Sequence, residues 1–181
     1  MTKQISIIII TGFFFLLSLS ALRAQAQQPV NPMQVESWIL NAGMGFGQIY
    51  DVDGSLPSGF AFKLALQRGF WEAGPGVIAL GLETGMVFNS TTIGAYTARF
   101  TKFNIAPRAG WHCGWDVPGL DTYAGVAMGI GFLSQTDVDT RLRFHGSAYI
   151  GGSYFFNEHF GVNLETGFGT TFIQVGVAYK F

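Results

Sequence analysis

The last nine residues of the chain alternate strictly between large apolar and small or polar side chains. Ile173, Val175, Val177, Tyr179 and Phe181 fall on one side, and Gln174, Gly176, Ala178 and Lys180 on the other. A period of two is the geometry of a β-strand, whose successive side chains point to opposite faces. The same pattern recurs upstream. Phe160, Val162, Leu164, Thr166 and Phe168 oppose Gly161, Asn163, Glu165, Gly167 and Gly169. Ile78, Leu80, Leu82, Thr84, Met86 and Phe88 oppose Ala79, Gly81, Glu83, Gly85 and Val87. Near the start, Trp38, Leu40, Ala42, Met44 and Phe46 oppose Ser37, Ile39, Asn41, Gly43 and Gly45.

Eight such segments can be drawn, over 36–48, 59–68, 76–88, 96–111, 122–133, 142–156, 160–169 and 172–181. Each reaches the roughly 9–11 residues that a tilted membrane strand needs. Pro107 interrupts the fourth. Proline cannot donate to a ladder, so its place predicts a bulge or a position where the missing donor costs little.

Composition decides which face looks where. Charged residues make up only 12% of the chain, aromatics 15%, and there are 25 glycines, whereas a soluble domain carries about 25% charge. The polar face is too small and glycine-rich to be a water-facing exterior. It fits the crowded interior of an eight-stranded barrel, which side chains alone fill. The bulky face therefore meets lipid, with Tyr50, Trp71, Trp111, Trp115, Tyr154 and Tyr179 near segment ends, where interfacial aromatic girdles form. The expected fold is all-β: one closed, eight-stranded, antiparallel up-and-down transmembrane β-barrel with a polar, Gly-rich lumen.

The first residues bear on compartment. Lys3 precedes an apolar run from Ile5 to Leu22 that closes on Ala24-Gln25-Ala26, the layout of a secretory signal peptide cut after Ala26. The alternative is a retained anchor, since the run comes close to spanning length. The expected division is a leader over 1–26 and one barrel domain over 27–181. Without Lys3 and Arg23, 8 basic residues face 11 acidic ones, a net charge of −3. That balance gives no reason to expect a nucleic acid partner. Cys113 is the only cysteine, so no internal disulfide can form.

An internal repeat accompanies the alternation. Met44-Gly45-Phe46-Gly47 is followed by Asp51-Val52-Asp53, and Met128-Gly129-Ile130-Gly131 by Asp137-Val138-Asp139. Leu82-Glu83-Thr84-Gly85 matches Leu164-Glu165-Thr166-Gly167. A four-strand unit used twice sets the first strand opposite the fifth, and the third opposite the seventh.

The C-terminal strand, with Phe181 last and Tyr179, Val177, Val175 and Ile173 at every second position before it, resembles the terminal signature of outer membrane β-barrels. The run 104–132 also resembles the outer membrane β-barrel domain family of small porin-like proteins, of the OmpX and OmpA barrel type. It carries Ala106-Pro107-Arg108-Ala109-Gly110-Trp111-His112 and Asp121-Thr122-Tyr123-Ala124-Gly125-Val126. The resemblance implies a bacterial outer membrane location reached through the periplasm, both termini in the periplasm, and a last strand read by the barrel-assembly machinery. Its other implied partners are outer membrane lipid and lipopolysaccharide, with a monomer expected. On that topology 49–58, 89–95, 134–141 and 170–171 are short outer loops, and 69–75, 112–121 and 157–159 are periplasmic turns.

By parity, Lys63, Glu83, Lys102, Arg108, Arg143, His145 and Glu165 point into the barrel. Counting from the periplasmic ends puts Lys63, Glu83, Arg108 and Glu165 at similar height. Charges walled off by lipid must pair, so these four are expected to form a structural ion-pair cluster; the functional alternative is a polar path for ions. The Asp-Val-Asp runs could hold a hard divalent cation, but they lack dedicated calcium-loop spacing and read as solvated turns. His145 and Ser147 share one face, as a base and a hydroxyl nucleophile would. They faintly resemble the His-x-Ser of the outer membrane deacylases that trim lipid A, but the flanking residues differ and the pair points inward. His112 and His159 lack metal-ligand spacing, and Cys113 reads as a packed thiol. No catalytic, cofactor-binding or metal-binding residue is assigned. The expected function is a non-enzymatic outer membrane protein of envelope structure or surface interaction, ahead of a narrow porin-like channel and of a lipid A-modifying enzyme.

Overall fold

A computed structural model describes residues 31–181 apart from 48, 49, 52, 53, 56–58, 94, 95 and 137. The leader expected over 1–26 lies outside the described residues. Among the described residues ten strands occur in chain order: β1 (Trp38–Gly47), β2 (Tyr50–Asp51), β3 (Gly54–Ser55), β4 (Gly59–Ala73), β5 (Gly76–Ile93), β6 (Tyr96–Cys113), β7 (Leu120–Gln135), β8 (Val138–Phe155), β9 (Phe160–Phe168) and β10 (Ile173–Lys180). β2 and β3 form a small separate ribbon. The other eight close a ring of antiparallel neighbours, because β1 pairs with both β4 and β10. Closure matters physically: around the complete part of the ring each strand has a ladder on both sides, which satisfies its backbone within lipid.

The faces fall as the alternation requires. Along β9, Phe160, Val162, Leu164 and Phe168 are each about half exposed, whereas Asn163 and Glu165 are buried. At the end carrying the first and last described residues the outward face is rich in Trp and Tyr. Tyr179 pairs with Phe160 and packs edge-on against Phe181, Trp111 meets Trp115, and the Trp111 indole donates to the Ala73 carbonyl. The far end carries phenylalanine instead. Phe46, Phe60 and Phe88 are partners across three adjacent strands, and Phe103 stacks on Phe132. Two aromatic bands thus bracket an apolar wall. The side chain of Tyr50 falls outside the described residues.

The interior is layered. Met33, Ile39, Val77, Ala79, Phe155 and Ala178 close it at the end of the termini. There the segment before β1 folds beneath the barrel, with Val35 bridging Gly69 in parallel and the Glu36 amide donating to the Gly69 carbonyl. Ala61, Val87, Leu133 and Phe100 form a second apolar plug at the far end. The lumen is therefore polar over its middle and apolar at both mouths.

One local expectation resolves to one of its two alternatives, and two are revised. Pro107 causes no bulge: the β6–β7 register is the same at Ile105↔Ile130 and at Arg108↔Ala127, and only the pairings between them are lost. The register shifts lie elsewhere, at Gly69/Trp71 and Leu133/Gln135. The stretches 89–95 and 134–141, read as short loops, belong largely to tall hairpins, since β5, β6 and β8 each run 18 residues. That is well beyond the roughly 9–11 that a membrane requires. Thirdly, 170–171 do not face outward. Thr170 and Thr171 are buried, and the Thr170 hydroxyl reaches Asn104 Oδ1 at 3.1 Å and His145 Nε2 at 3.4 Å.

Gly169 makes that inward turn, with φ at 119°. A side chain there would suffer backbone strain and would also press on Ser147. Gly169→Ala should therefore destabilise the barrel by about 1–3 kcal/mol, read as a lower urea midpoint in detergent micelles, whereas Gly152→Ala, outward with no close neighbour, should leave the midpoint unchanged.

Candidate functional site

The four charged residues singled out by parity meet in the middle of the lumen. Lys63 on β4 lies 3.0 Å from Glu83 Oε2 and 2.8 Å from Glu165 Oε1. Arg108 on β6 reaches Glu83 Oε2 with Nη1 at 3.4 Å and Glu165 Oε2 with Nη2 at 3.2 Å. All four side chains are buried. Glu83 and Glu165 come from the two copies of the Leu-Glu-Thr-Gly repeat, on β5 and β9, which stand opposite each other in the ring. Two carboxylates thus face across the axis with two cations between them, and the cluster is neutral. Neutrality and multiple contacts per charge are what a buried ionic group needs to offset its desolvation.

The polar side chains around the cluster complete its hydrogen bonding. Ser147 donates to Glu83 Oε1 at 2.9 Å, and His145 Nε2 lies 3.6 Å from the same oxygen. Tyr123 donates to Glu165 Oε2 at 3.0 Å, and Asn163 donates to the Tyr123 oxygen at 2.7 Å and to Ser153 at 3.0 Å. The Arg108 guanidinium stacks 3.7 Å from the centre of the Tyr149 ring, and Lys63 Nζ lies 5.3 Å from it. Cation–π contact adds most where water is excluded. Toward the termini, the His112 ring shares Nδ1 with the Asp121 carboxylate at 3.0 and 3.1 Å and stacks on Tyr123.

Tyr123, Tyr149 and Asp121 were not singled out from the sequence. The signal that finds the two tyrosines is the glycine opposite: a Cβ at Gly125 would collide with the Tyr149 ring, and one at Gly151 with that of Tyr123. Each glycine is the notch that a tyrosine ring fills. Lys102 and His145 lie on the inner face and are buried, and Arg143 is half-buried.

His145 and Ser147 do share a face, but both hydroxyl and imidazole are turned onto Glu83 inside the barrel. Cys113 is buried, and its thiol points to the Pro75 carbonyl at 3.5 Å. Among the described residues no group of three His, Cys, Asp or Glu side chains is placed to hold a metal ion. Of the Asp-Val-Asp runs, the Asp51 side chain, Asp53 and Asp137 lie outside the described residues.

No protein-family model and no curated protein matches the chain. Among solved structures it superposes on Neisserial surface protein A, with TM-score 0.55 and 12% identity over 80% of this chain and 97% of that one. This is the fold of a small eight-stranded outer membrane β-barrel. It is shared with the outer membrane protein OprG from Pseudomonas aeruginosa, with TM-score 0.50 and 13% identity over 82% of this chain and 97% of that one. At such identities the likeness is one of fold, and the residues of the lumen have to be read from this chain itself.

Proposed function

We propose that the chain is a non-enzymatic integral protein of a Gram-negative outer membrane, serving envelope structure and surface contact rather than solute passage. The observation that carries this reading is an apolar outer wall, bracketed by aromatic bands, around an interior that side chains fill at mid-height and near both mouths among the described residues. The wall supplies the burial that holds the barrel in lipid, and the ring satisfies its backbone. The filled interior speaks against the narrow channel. An ion would have to pass the Met33 plug, the neutral four-charge cluster, Thr170 and the Leu133–Phe100 plug in turn. The lipid A-modifying reading lacks support for a related reason: its histidine and serine are engaged with Glu83, where no acyl chain reaches.

Surface contact is favoured by the uneven height of the wall. β9 pairs with β8 only between Ala148 and Phe155, so among the described residues 138–147 of β8 have no β9 partner. β5 to β8 thus stand above their neighbours as a four-stranded blade, with one edge on β5, whose pairing with β4 stops at Phe60↔Phe88, and the other on β8. Leu142 and Phe144 on that edge strand are 63% and 73% exposed. Open edges pair readily with extended polypeptide.

Two measurements test the reading. Purified protein in planar bilayers should give no unitary conductance steps above background; steady steps would reinstate the channel. In intact cells, a membrane-impermeant maleimide should label Thr140→Cys but not Glu158→Cys, which becomes reactive only after the outer membrane is permeabilised. The reverse pattern would overturn the topology.

A further inference from the structure

We infer that the cavity at the end carrying the first and last described residues is a binding site for a small primary ammonium, with His112 Nε2 and the Glu72 carboxylate as its receiving groups. The cavity measures about 490 Å³ and lies between the segment before β1, the turn joining β4 to β5 and the end of β6. That is room enough for a small molecule. Register builds its floor. Glu72 pairs with Val77, and Val77 with His112, so side chains of three adjacent strands stand in one row. Val77 and His112 are buried, and Glu72 is exposed at the rim. Neighbouring strands lie about 4.8 Å apart, which sets the backbones of Glu72 and His112 roughly 10 Å apart across Val77.

The imidazole is held ready for this use. Nδ1 lies 3.0 and 3.1 Å from the two Asp121 oxygens and meets them as a donor. The neutral ring therefore carries its proton on that side and offers Nε2 as an acceptor. Nε2 is buried and has no hydrogen-bond partner among the described residues. His112 as a whole is 1% exposed. An unused acceptor at that depth costs free energy, which a donor brought into the cavity recovers. Asn31 Oδ1, on the same lining, is also buried without a partner.

The lining selects its ligand by charge and by donors. Its buried unmet atoms, His112 Nε2 and Asn31 Oδ1, are acceptors, Glu72 adds a negative charge, and neither lysine nor arginine lines the cavity. An anion would meet repulsion there. Lys180, a cation of the same mouth, is drawn to Glu158 and Asp121 and stays off the lining. A metal ion lacks a set of three ligands among the described residues, and a wholly apolar guest would leave Nε2 unmet. An ammonium brings three donors and a compact charge. It gives one hydrogen to Nε2 and faces Glu72 with the rest, while Met33 and Val77 on the lining suit a short alkyl chain. On the proposed topology the mouth opens to the periplasm, where a free diamine or a lysine side chain of a peptide can supply the group.

The test titrates the full barrel in detergent micelles with putrescine, with the diol of the same chain length, and with a short end-blocked peptide carrying one lysine, each followed by calorimetry. The parent should bind putrescine and not the diol. His112→Asn keeps a donor for Asp121 and removes the Nε2 acceptor, so it should weaken putrescine about tenfold or more, as loss of a hydrogen bond to a charged group does. Glu72→Gln should weaken it about threefold, because an exposed charge pair contributes less. Glu36→Gln should change nothing, since Glu36 pairs with Arg68 at the same mouth and stays off the lining. Peptide binding as tight as that of putrescine supports the inference with a polypeptide lysine as the source, and binding of putrescine alone supports it with a free amine. No binding of either amine by the parent, equal binding of the diol, or unchanged putrescine affinity in Glu72→Gln or in folded His112→Asn overturns it. None of these outcomes touches the membrane reading, which the conductance and labelling measurements decide.

Discussion

Glu83→Ala should cost the barrel about 3–5 kcal/mol of folding free energy, the usual loss when one member of a buried ionic set is removed. The size follows from what is left behind. Lys63 and Arg108 would share the single carboxylate of Glu165, and Ser147 and His145 would lose their common acceptor. The variant should unfold at markedly lower urea in detergent micelles and should lose its compact, heat-modifiable form at a lower temperature. Charge balance separates this account from simple loss of packing. Lys63→Met combined with Glu83→Gln leaves Arg108 and Glu165 as a neutral pair in a lumen of similar volume, so the double variant should recover much of what the single one loses. An unchanged urea midpoint for Glu83→Ala would show that the cluster contributes nothing to stability.

That cluster could be read in the sequence because two rules with no free parameters act on it. A strand reverses its faces at every residue, and a lipid-walled interior obliges charges to meet partners. Together they place Lys63, Glu83, Arg108 and Glu165 inside and at one level, and the duplicated Leu-Glu-Thr-Gly sets the glutamates on opposite walls. The belt was legible for the same reason: lipid on one side forces alternation, and β9 and β10 obey it to the residue. Where lipid stops, so does the rule. The upper parts of β5 to β8 carry Asn, Ser, Thr, Gln and Asp, a composition that loops share, and their hairpins are held by cross-strand pairing that a linear reading does not expose. Thr170 illustrates a second limit. Its inward path depends on Gly169 at positive φ and on a space framed by Gly47, Gly85, Asn104 and His145, residues from four different strands. The tyrosines escape a reading by charge alone, because the space beside the charges is set by glycine.

The orientation of the wall carries the second large effect. Leu164 lies midway along β9, is 54% exposed, and is flanked on the outer face by its partners Val175 and Gly152. An arginine there has no water to reach without crossing the apolar wall. Leu164→Arg should therefore cost about 2–4 kcal/mol in phospholipid vesicles, the penalty for a cation near the bilayer midplane. Val138→Arg makes the same chemical change at the tip of β8, beyond the phenylalanine band, where the penalty falls to about 0–1 kcal/mol. The contrast is the point of the pair. A barrel whose outer face met water would treat both sites as ordinary surface, with changes within about 0.5 kcal/mol of each other. Depth would then have no meaning. Reversible guanidinium titrations of the two variants in vesicles, read by tryptophan fluorescence, give the difference directly. Equal midpoints would mean that the large side chains of β9 do not face acyl chains, and the aromatic bands would need a different explanation.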